Sequence, residues 1–178
     1  INQWKSVVKS LLSIPMAHQL IGYYTVADDS DGVLKVMRSY QYYAASRISD
    51  RVTKVNRDGR WGERGLKGGH IWHTTGSGKT MTSFKCAQLI AASRDADKVV
   101  FLVDRIELGT QSLEQYQAFA NEDEAVQETR STDDLKAKLR SDKPADTLIV
   151  TSIQKMGNLE ADDLSDADLA AIRAKRLV

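Results

Sequence analysis

The chain has 178 residues, of which 42% are hydrophobic and 28% charged, and its formal net charge is +1. These values are ordinary for a globular domain with its own core. No run approaches the roughly 18 apolar residues of a membrane span, and the N-terminus lacks the pattern of a secretory signal. The single cysteine, Cys86, excludes an intrachain disulfide, lies in an apolar stretch and is predicted to be a core residue. A cytoplasmic protein without a membrane partner is therefore expected.

The first half of the chain is predicted to be mainly helical. Residues 1 to 34 form a helical leader that ends in a turn, because apolar residues in "WKSVVKSLLSI" recur at helical spacing and "ADDSDG" is turn-forming. A second helix is predicted over residues 39 to 55, with Arg47, Arg51 and Lys54 on one face. The glycine-rich polar stretch from 56 to 69 predicts a mobile loop. From Lys35 to Lys67 nine basic residues stand against three acidic ones, a balance that suits either phosphate contacts or a solvated helix face.

From residue 70 onward strands alternate with helices. Continuous apolar strands separated by helices predict an α/β fold with a parallel sheet covered by helices on both faces. The predicted strands are "HIWHT" (70–74), "KVVFLV" (98–103), "DTLIVTS" (146–152) and the C-terminal "RLV". The predicted helices are "KTMTSFKCAQLIAAS" (79–93), "ELGTQSLEQYQAFA" (107–120), "STDDLKAKLR" (131–140) and "DADLAAIRAK" (166–175).

The stretch "HTTGSGKT", residues 73 to 80, has the pattern of a phosphate-binding loop. Gly76 and Gly78 lack the Cβ atoms that would keep backbone N–H groups from converging on an anion, and a helix start follows. Lys79 supplies a cation for phosphates and Thr80 a hydroxyl for magnesium. His73 takes the place of the first glycine of the general motif, at a strand exit where a side chain is tolerable. A glycine turn that only caps the helix would explain the glycines but not the Lys–Thr pair.

A histidine pair is a weaker candidate for a metal site. His70 and His73 are three residues apart on a predicted strand, so their side chains would point to opposite faces and could not share one ion.

Four stretches in order resemble the motor (restriction) subunit of type I restriction-modification enzymes. "GGHIWHTTGSGKTMTSFKCAQLI" is similar to its nucleotide-binding motif, in which a histidine ahead of "TTGSGKT" is usual. "MRSYQYYAASRI" resembles the motif whose glutamine reads adenine, here Gln41. "VVFLVDRIELGTQ" resembles the motif after the second strand, and "LIVTSIQKM" resembles the family's "TTIQK" stretch with Ser152 replacing a threonine. The resemblance covers roughly residues 35 to 178.

The resemblance implies a superfamily 2 helicase-like motor. Residues 35–178 would be the N-terminal part of the first P-loop RecA-like domain, and residues 1–34 a leader from an upstream nuclease domain. The cofactors would be ATP and Mg2+. The partners would be double-stranded DNA and the methyltransferase and specificity subunits, and the whole subunit would be an ATP-driven DNA translocase and restriction endonuclease.

The resemblance also implies roles for individual residues. Lys79 and Thr80 would be catalytic, and Thr80 would bind magnesium. The ATP-binding residues would be Gln41, Thr75, Gly76, Ser77, Gly78, Lys79 and Thr80, and the DNA-binding residues would be Arg105, Thr151, Ser152 and Lys155. The family's next motif, D-E-x-H, would follow "KRLV", so the chain is expected to be a fragment that binds nucleotide weakly without turning it over.

Other interpretations of these residues stay open at this point. Gln41 could be a solvated helix residue, Asp104 with Glu107 a capping box, and Thr151 or Ser152 an N-cap. The chain could be a small self-contained P-loop kinase or NTPase that does not act on DNA, with Asp104 as its magnesium acid, although no convincing basic lid follows. It could also be an interaction module that docks through the acidic stretches 121–134 and 160–168, which would leave Lys79 and Thr80 unexplained.

Overall fold

The structure of the chain, a computed structural model, describes residues 3–63, 68–104, 106–120, 126–159 and 164–178. In those residues no helix is both long and apolar enough to cross a bilayer. The helices are α1 (Gln3–Leu11), α2 (Ile14–Tyr23), α3 (Ser39–Arg57), α4 (Lys79–Ser93), α5 (Ile106–Phe119), α6 (Thr132–Arg140), α7 (Ile153–Gly157) and α8 (Asp166–Arg173), with a 3-10 turn at Pro144–Asp146. The strands are β1 (Thr25–Asp28), β2 (Val33–Val36), β3 (Val99–Val103), β4 (Val126–Glu128) and β5 (Leu148–Ser152).

The central sheet is parallel and has helices on both faces. Its strand order is β3–β5–β4, with Val99 and Val126 both opposite Leu148. Leu148 and Val150 belong to a core that includes residues of α4 and α5, whereas Ile149 packs with Leu135 and Leu139 of α6. Because neighbouring residues of a strand face opposite sides of the sheet, the two cores lie on its two faces. The predicted α/β class and layering are confirmed.

Cys86 is part of the first core. Its side chain is 5% exposed and packs with the buried residues of α4 and β3. Burial raises the pKa of the Cys86 thiol to about 12. The prediction of a core cysteine is confirmed.

The leader is only partly helical. Helices α1 and α2 both lie within the predicted helical leader, and α2 contains Pro15, which the first helical turn tolerates since no backbone N–H is needed there. Strands β1 and β2 form an antiparallel hairpin in which Thr25 pairs with Val36, and the backbone N–H of Asp29 donates to Ala118 of α5. The division after residue 34 stays a prediction, and it would cut through β2.

The strand predicted at residues 70 to 74 is wrong. These residues have no regular structure, and Trp72 is 91% exposed. The outer edge of β3 is bonded instead to the C-terminus, through the parallel bridge Lys98–Leu177 and the hydrogen bond from Val100 N to Val178 O. The predicted start of a C-terminal strand is therefore confirmed as a bridge. Within the described ranges residues 70–74 have no strand to pair with, and an unpaired strand leaves its backbone groups unsatisfied.

The predicted loop from 56 to 69 begins later along the chain and is more packed than expected. Helix α3 extends to Arg57, and Trp61 packs against the first core while its indole N–H donates to Asn56 Oδ1 at 3.2 Å. Residues 64–67 lie outside the described residues.

Arg176 joins three segments that are distant in sequence. Its guanidinium donates to both oxygens of Asp97, at 2.6 and 3.2 Å, and to Asn56 Oδ1 at 2.9 Å. The backbone N–H of Arg176 also donates to Asp97 Oδ2 at 2.8 Å. These contacts connect the end of α3 to the turn before β3 and to the C-terminal bridge, and the Arg176 hydrogen bond lowers the pKa of the Asp97 carboxyl.

Asp97→Asn is expected to make the chain less stable near neutral pH and its stability less sensitive to acid. The lowered pKa means that Asp97 stabilises the fold fully above its ordinary value of 3.8 and loses this contribution as the pH falls through the folded-state pKa. Because the pair is partly exposed, we expect a loss of about 1 kcal/mol in the free energy of unfolding. Urea unfolding near neutral pH and at pH about 3 measures both effects. Asp142→Asn, which breaks the more exposed Lys175–Asp142 pair, is the control. Equal pH dependence in Asp97→Asn and the unmodified chain would contradict the prediction.

Candidate functional site

The glycine loop, residues 74–78, leads directly into α4. Gly76 and Gly78 have φ angles of 74° and 76°, in the left-handed region that favours glycine. The backbone N–H and hydroxyl of Ser77 both donate to the carbonyl of Thr74, at 3.3 and 2.7 Å, which closes the loop into a turn. Gly78 is the N-cap residue of α4. The two glycines are thus required by the backbone, as the motif predicted.

The start of α4 has the donors that an anion needs. Among the described residues none accepts a hydrogen bond from the backbone N–H of Lys79, Thr80 or Met81. Free N–H groups at a helix start, together with the positive end of the helix dipole, form an anion site. The Lys79 side chain is exposed, and its ammonium donates to Thr74 O at 3.1 Å, beside these groups. With the Thr80 hydroxyl at the same turn, the residues present suit a phosphate group and its magnesium ion.

Gln41 lies beneath the glycine loop, not in solvent. It is 3% exposed, its Oε1 accepts from the backbone N–H of Arg38 at 2.8 Å, and its Nε2 donates to Ser77 O at 2.9 Å. A Cβ atom at Gly78 would lie 2.4 Å from Gln41 Nε2. The interpretation of Gln41 as a solvated residue is therefore wrong. Its contact with adenine stays a prediction.

Tyr40 is a loop contact that sequence reasoning missed. Its hydroxyl donates to Ser77 O at 3.1 Å, and its ring stands at 88° to the ring of His73, with centroids 5.4 Å apart. His73, at the position of the motif's first glycine, thus packs against the first turn of α3. Only the position of Tyr40 beside Gln41 could have suggested this contact from sequence.

A cleft of about 790 Å3 lies beside the loop and the start of α4. Its other walls are α5, with Glu114 and Gln115, and the β1–β2 hairpin, with Asp28 and Lys35. Lys35 pairs with Asp28, and this hydrogen bond lowers the pKa of the Asp28 carboxyl. The volume is that of a small-molecule site.

A cavity of about 940 Å3 lies at the amino ends of β3 and β5, where it is lined by Lys98, Leu148 and several cations. Helices α4, α6 and α8 all end near this cavity, and cations are favoured beside helix C-termini because they offset the negative end of the helix dipole. The cations there have a structural explanation, so the cleft beside the glycine loop is the better candidate site.

The predicted DNA-binding residues have internal contacts where the structure describes them. Thr151 and Ser152 are buried; Thr151 Oγ1 accepts from Thr129 Oγ1 at 2.7 Å, and Ser152 Oγ accepts from Lys155 N at 3.2 Å. The Lys155 ammonium donates to the carbonyl of Thr129. The interpretation of Ser152 as an N-cap is confirmed, because it caps α7. Contact of these residues with DNA stays a prediction.

Several predicted features lie outside the described residues. They are Arg105, the side chain of Glu107, and the parts of the two acidic stretches at residues 121–125 and 160–163. The capping box of Asp104 depends on the side chain of Glu107, so it stays a prediction.

Ser152→Ala is expected to lower the free energy of unfolding by about 1 kcal/mol, because it removes the cap of α7. Ser165→Ala is the matched control, since Ser165 Oγ accepts from Asp168 N at 3.2 Å and caps α8 in the same way. Urea unfolding should give similar losses for both variants. A loss confined to Ser165→Ala would contradict the capping role of Ser152.

Comparison with known proteins decides the family. A sequence profile of the SWI2/SNF2 ATPase family matches residues 40–176. A protein of Mycoplasma pneumoniae, named as the C-terminal part of a type I restriction enzyme endonuclease subunit, is 44% identical over 142 residues, which cover 79% of this chain and 68% of that protein. A type I restriction enzyme endonuclease subunit of Staphylococcus aureus is 38% identical over 156 residues, 88% of this chain. The chain belongs to the type I restriction enzyme endonuclease subunits.

This chain covers only part of the length of its relatives among the type I endonuclease subunits. It spans 15% of the Staphylococcus aureus subunit, and a similar subunit of Methanocaldococcus jannaschii is 31% identical over 115 residues, 11% of its own length. The SWI2/SNF2 match begins at Tyr40, so it contains Gln41 and the whole glycine loop, whereas α1, α2 and the hairpin precede it.

Proposed function

We propose that this chain is the nucleotide-binding part of an ATP-driven motor that moves double-stranded DNA within a type I restriction endonuclease subunit. The observation that carries the proposal is the glycine loop, with two left-handed glycines directly before N–H groups of α4 that have no acceptor among the described residues. Its position within the SWI2/SNF2 ATPase match supports the same conclusion. Residues 35–178 are proposed as part of the first RecA-like motor domain.

Each residue of the loop region has a distinct proposed role. The backbone N–H groups of Lys79, Thr80 and Met81 donate to phosphate oxygens. The Lys79 ammonium leaves the carbonyl of Thr74 and donates to the phosphates instead. The Thr80 hydroxyl binds magnesium, and Gln41 contacts adenine. Magnesium ATP supplies the phosphoryl group whose transfer to water drives the motor. The protein contributes by holding positive charge and N–H dipoles where negative charge develops.

DNA is proposed to contact the chain through its phosphates. The candidate residues are Arg105, Thr151, Ser152 and Lys155, and Arg47 and Lys54 add exposed cations on α3. A translocating motor must bind the DNA backbone regardless of base, so binding should be weakly sequence-dependent and should weaken steeply with salt. The proposed partners are the methyltransferase and specificity subunits, and the proposed location is the cytoplasm.

The test uses the full-length subunit assembled with these partners on linear DNA. We expect ATP hydrolysis that depends on magnesium and DNA, together with displacement of a triplex-forming oligonucleotide placed along the DNA. Hydrolysis that is independent of DNA and displaces nothing would contradict the motor. Phosphoryl transfer from ATP to a small acceptor without DNA would instead favour a P-loop kinase.

A further inference from the structure

The carbonyl of Ser77 is held by two donors from the first turn of α3. The Tyr40 hydroxyl donates to it at 3.1 Å and Gln41 Nε2 at 2.9 Å. A carbonyl oxygen has two lone pairs, and both donors bonded to this one come from α3. No other carbonyl of the glycine loop is bonded to α3 in the described part of the chain.

This anchoring fixes the direction of the next N–H group. In a trans peptide the C=O and the following N–H point in opposite directions, and the described residues contain no cis peptide. With its carbonyl directed to α3, the Ser77–Gly78 peptide directs the Gly78 N–H away from α3. Rotation of this peptide would turn the carbonyl towards the bound phosphates, where it would repel their oxygens.

His73 acts on the same contact through Tyr40. Its ring packs edge-on against the Tyr40 ring, with centroids 5.4 Å apart. The Tyr40 side chain is 38% exposed and lies in the first turn of α3, next to His73. A side chain at residue 73 thus orients the hydroxyl that holds Ser77, which a glycine there could not do.

We infer that Tyr40, oriented by His73, is a positioning residue of the glycine loop and sets its affinity for the triphosphate part of the nucleotide whatever the base. The inference rests on the proposed nucleotide site. It differs from the role proposed for Gln41, because a residue that reads adenine changes affinity for ATP and not for a phosphate chain that lacks a base.

The test compares ATP with inorganic tripolyphosphate, each with magnesium, binding to the full-length subunit by titration calorimetry. In Tyr40→Phe both affinities should fall by the same factor of about 3 to 10, the size expected for one hydrogen bond. The melting temperature should not change. Tyr43→Phe is the matched control, because Tyr43 lies on the same helix, is 62% exposed and has no hydroxyl contact among the described residues.

His73→Ala tests whether His73 acts through Tyr40. It should lower both affinities in the unmodified subunit and have a smaller effect in the Tyr40→Phe background, because the two residues belong to one contact. Equal effects of His73→Ala in both backgrounds would show that it does not act through Tyr40.

The outcomes separate this inference from the proposed function. If Tyr40→Phe weakens the binding of ATP but not of tripolyphosphate, Tyr40 contacts the base and the inference is overturned. If it weakens the binding of neither ligand while the unmodified subunit binds both, the hydroxyl does not position the loop; the inference then fails, but the proposed nucleotide site does not. If the unmodified subunit binds neither ligand, the proposed function fails and the inference fails with it.

Discussion

Lys79→Ala is expected to reduce DNA-dependent ATP hydrolysis by the assembled enzyme by about a hundredfold or more, the usual effect of removing one group that stabilises transition-state charge. The structure favours this prediction because the Lys79 ammonium lies beside N–H groups that have no acceptor among the described residues. Its contact with Thr74 O is exposed, so its loss should leave the fold intact. The measurement is the steady-state hydrolysis rate with saturating DNA, together with the melting temperature.

Lys9→Ala is the matched control for this variant. Lys9 is exposed on α1 and lies outside the cleft beside the glycine loop and outside the residues proposed to contact DNA, so its removal lowers the positive charge by the same amount without touching the site. If Lys79→Ala hydrolyses ATP as fast as Lys9→Ala does, the glycine loop is not the catalytic nucleotide site.

Gly78→Ala is expected to disrupt the loop far more than Gly76→Ala, although both glycines have nearly the same φ. Each substitution places a Cβ in the left-handed region, at a cost of about 1–2 kcal/mol. At Gly76 the new atom has no described atom within 4 Å, whereas at Gly78 it lies 2.4 Å from Gln41 Nε2. Gln41 must then leave Ser77 O and the backbone N–H of Arg38, so the anchoring of the loop is lost.

Two measurements test the comparison. The affinity for magnesium ATP should fall at least about tenfold more in Gly78→Ala than in Gly76→Ala, since a buried donor and acceptor lose their partners. Urea unfolding should also show a larger loss for Gly78→Ala. In the Gln41→Ala background the clash is absent, so the two glycine substitutions should have similar effects on stability. Equal effects with Gln41 present would contradict the close approach.

Local sequence patterns predicted those elements whose residues determine their own conformation. Helices α3, α4 and α6 follow from helical spacing of apolar residues, and β3 and β5 from continuous apolar runs. The hairpin and β4 were not predicted, because four- and three-residue strands depend on distant partners more than on their own pattern. Residues 70–74 have the composition of a strand, but the edge of β3 is bonded to residues 177 and 178.

In the candidate site, too, only the features that local residues determine were predictable from the sequence. The motif identified the glycine loop and Lys79, because the backbone there requires glycine and a helix start. It could not reveal the bond between Tyr40 and Ser77, since these residues are 37 positions apart and only the packing of α3 beside the loop joins them. Gln41 was predicted as a site residue, but its burial depends on the same packing.

Because Cys86 is buried in α4, the rate at which its thiol is labelled reports the opening of that helix. Thiol reagents attack the exposed thiolate, and a thiol that is 5% exposed with a pKa of about 12 offers almost none. Labelling of the single cysteine therefore measures how often α4 opens. The same helix begins at Lys79, so a ligand bound to its N–H groups slows labelling in proportion to its occupancy of the folded state. Nucleotide binding can thus be followed with a thiol reagent and without any enzymatic turnover.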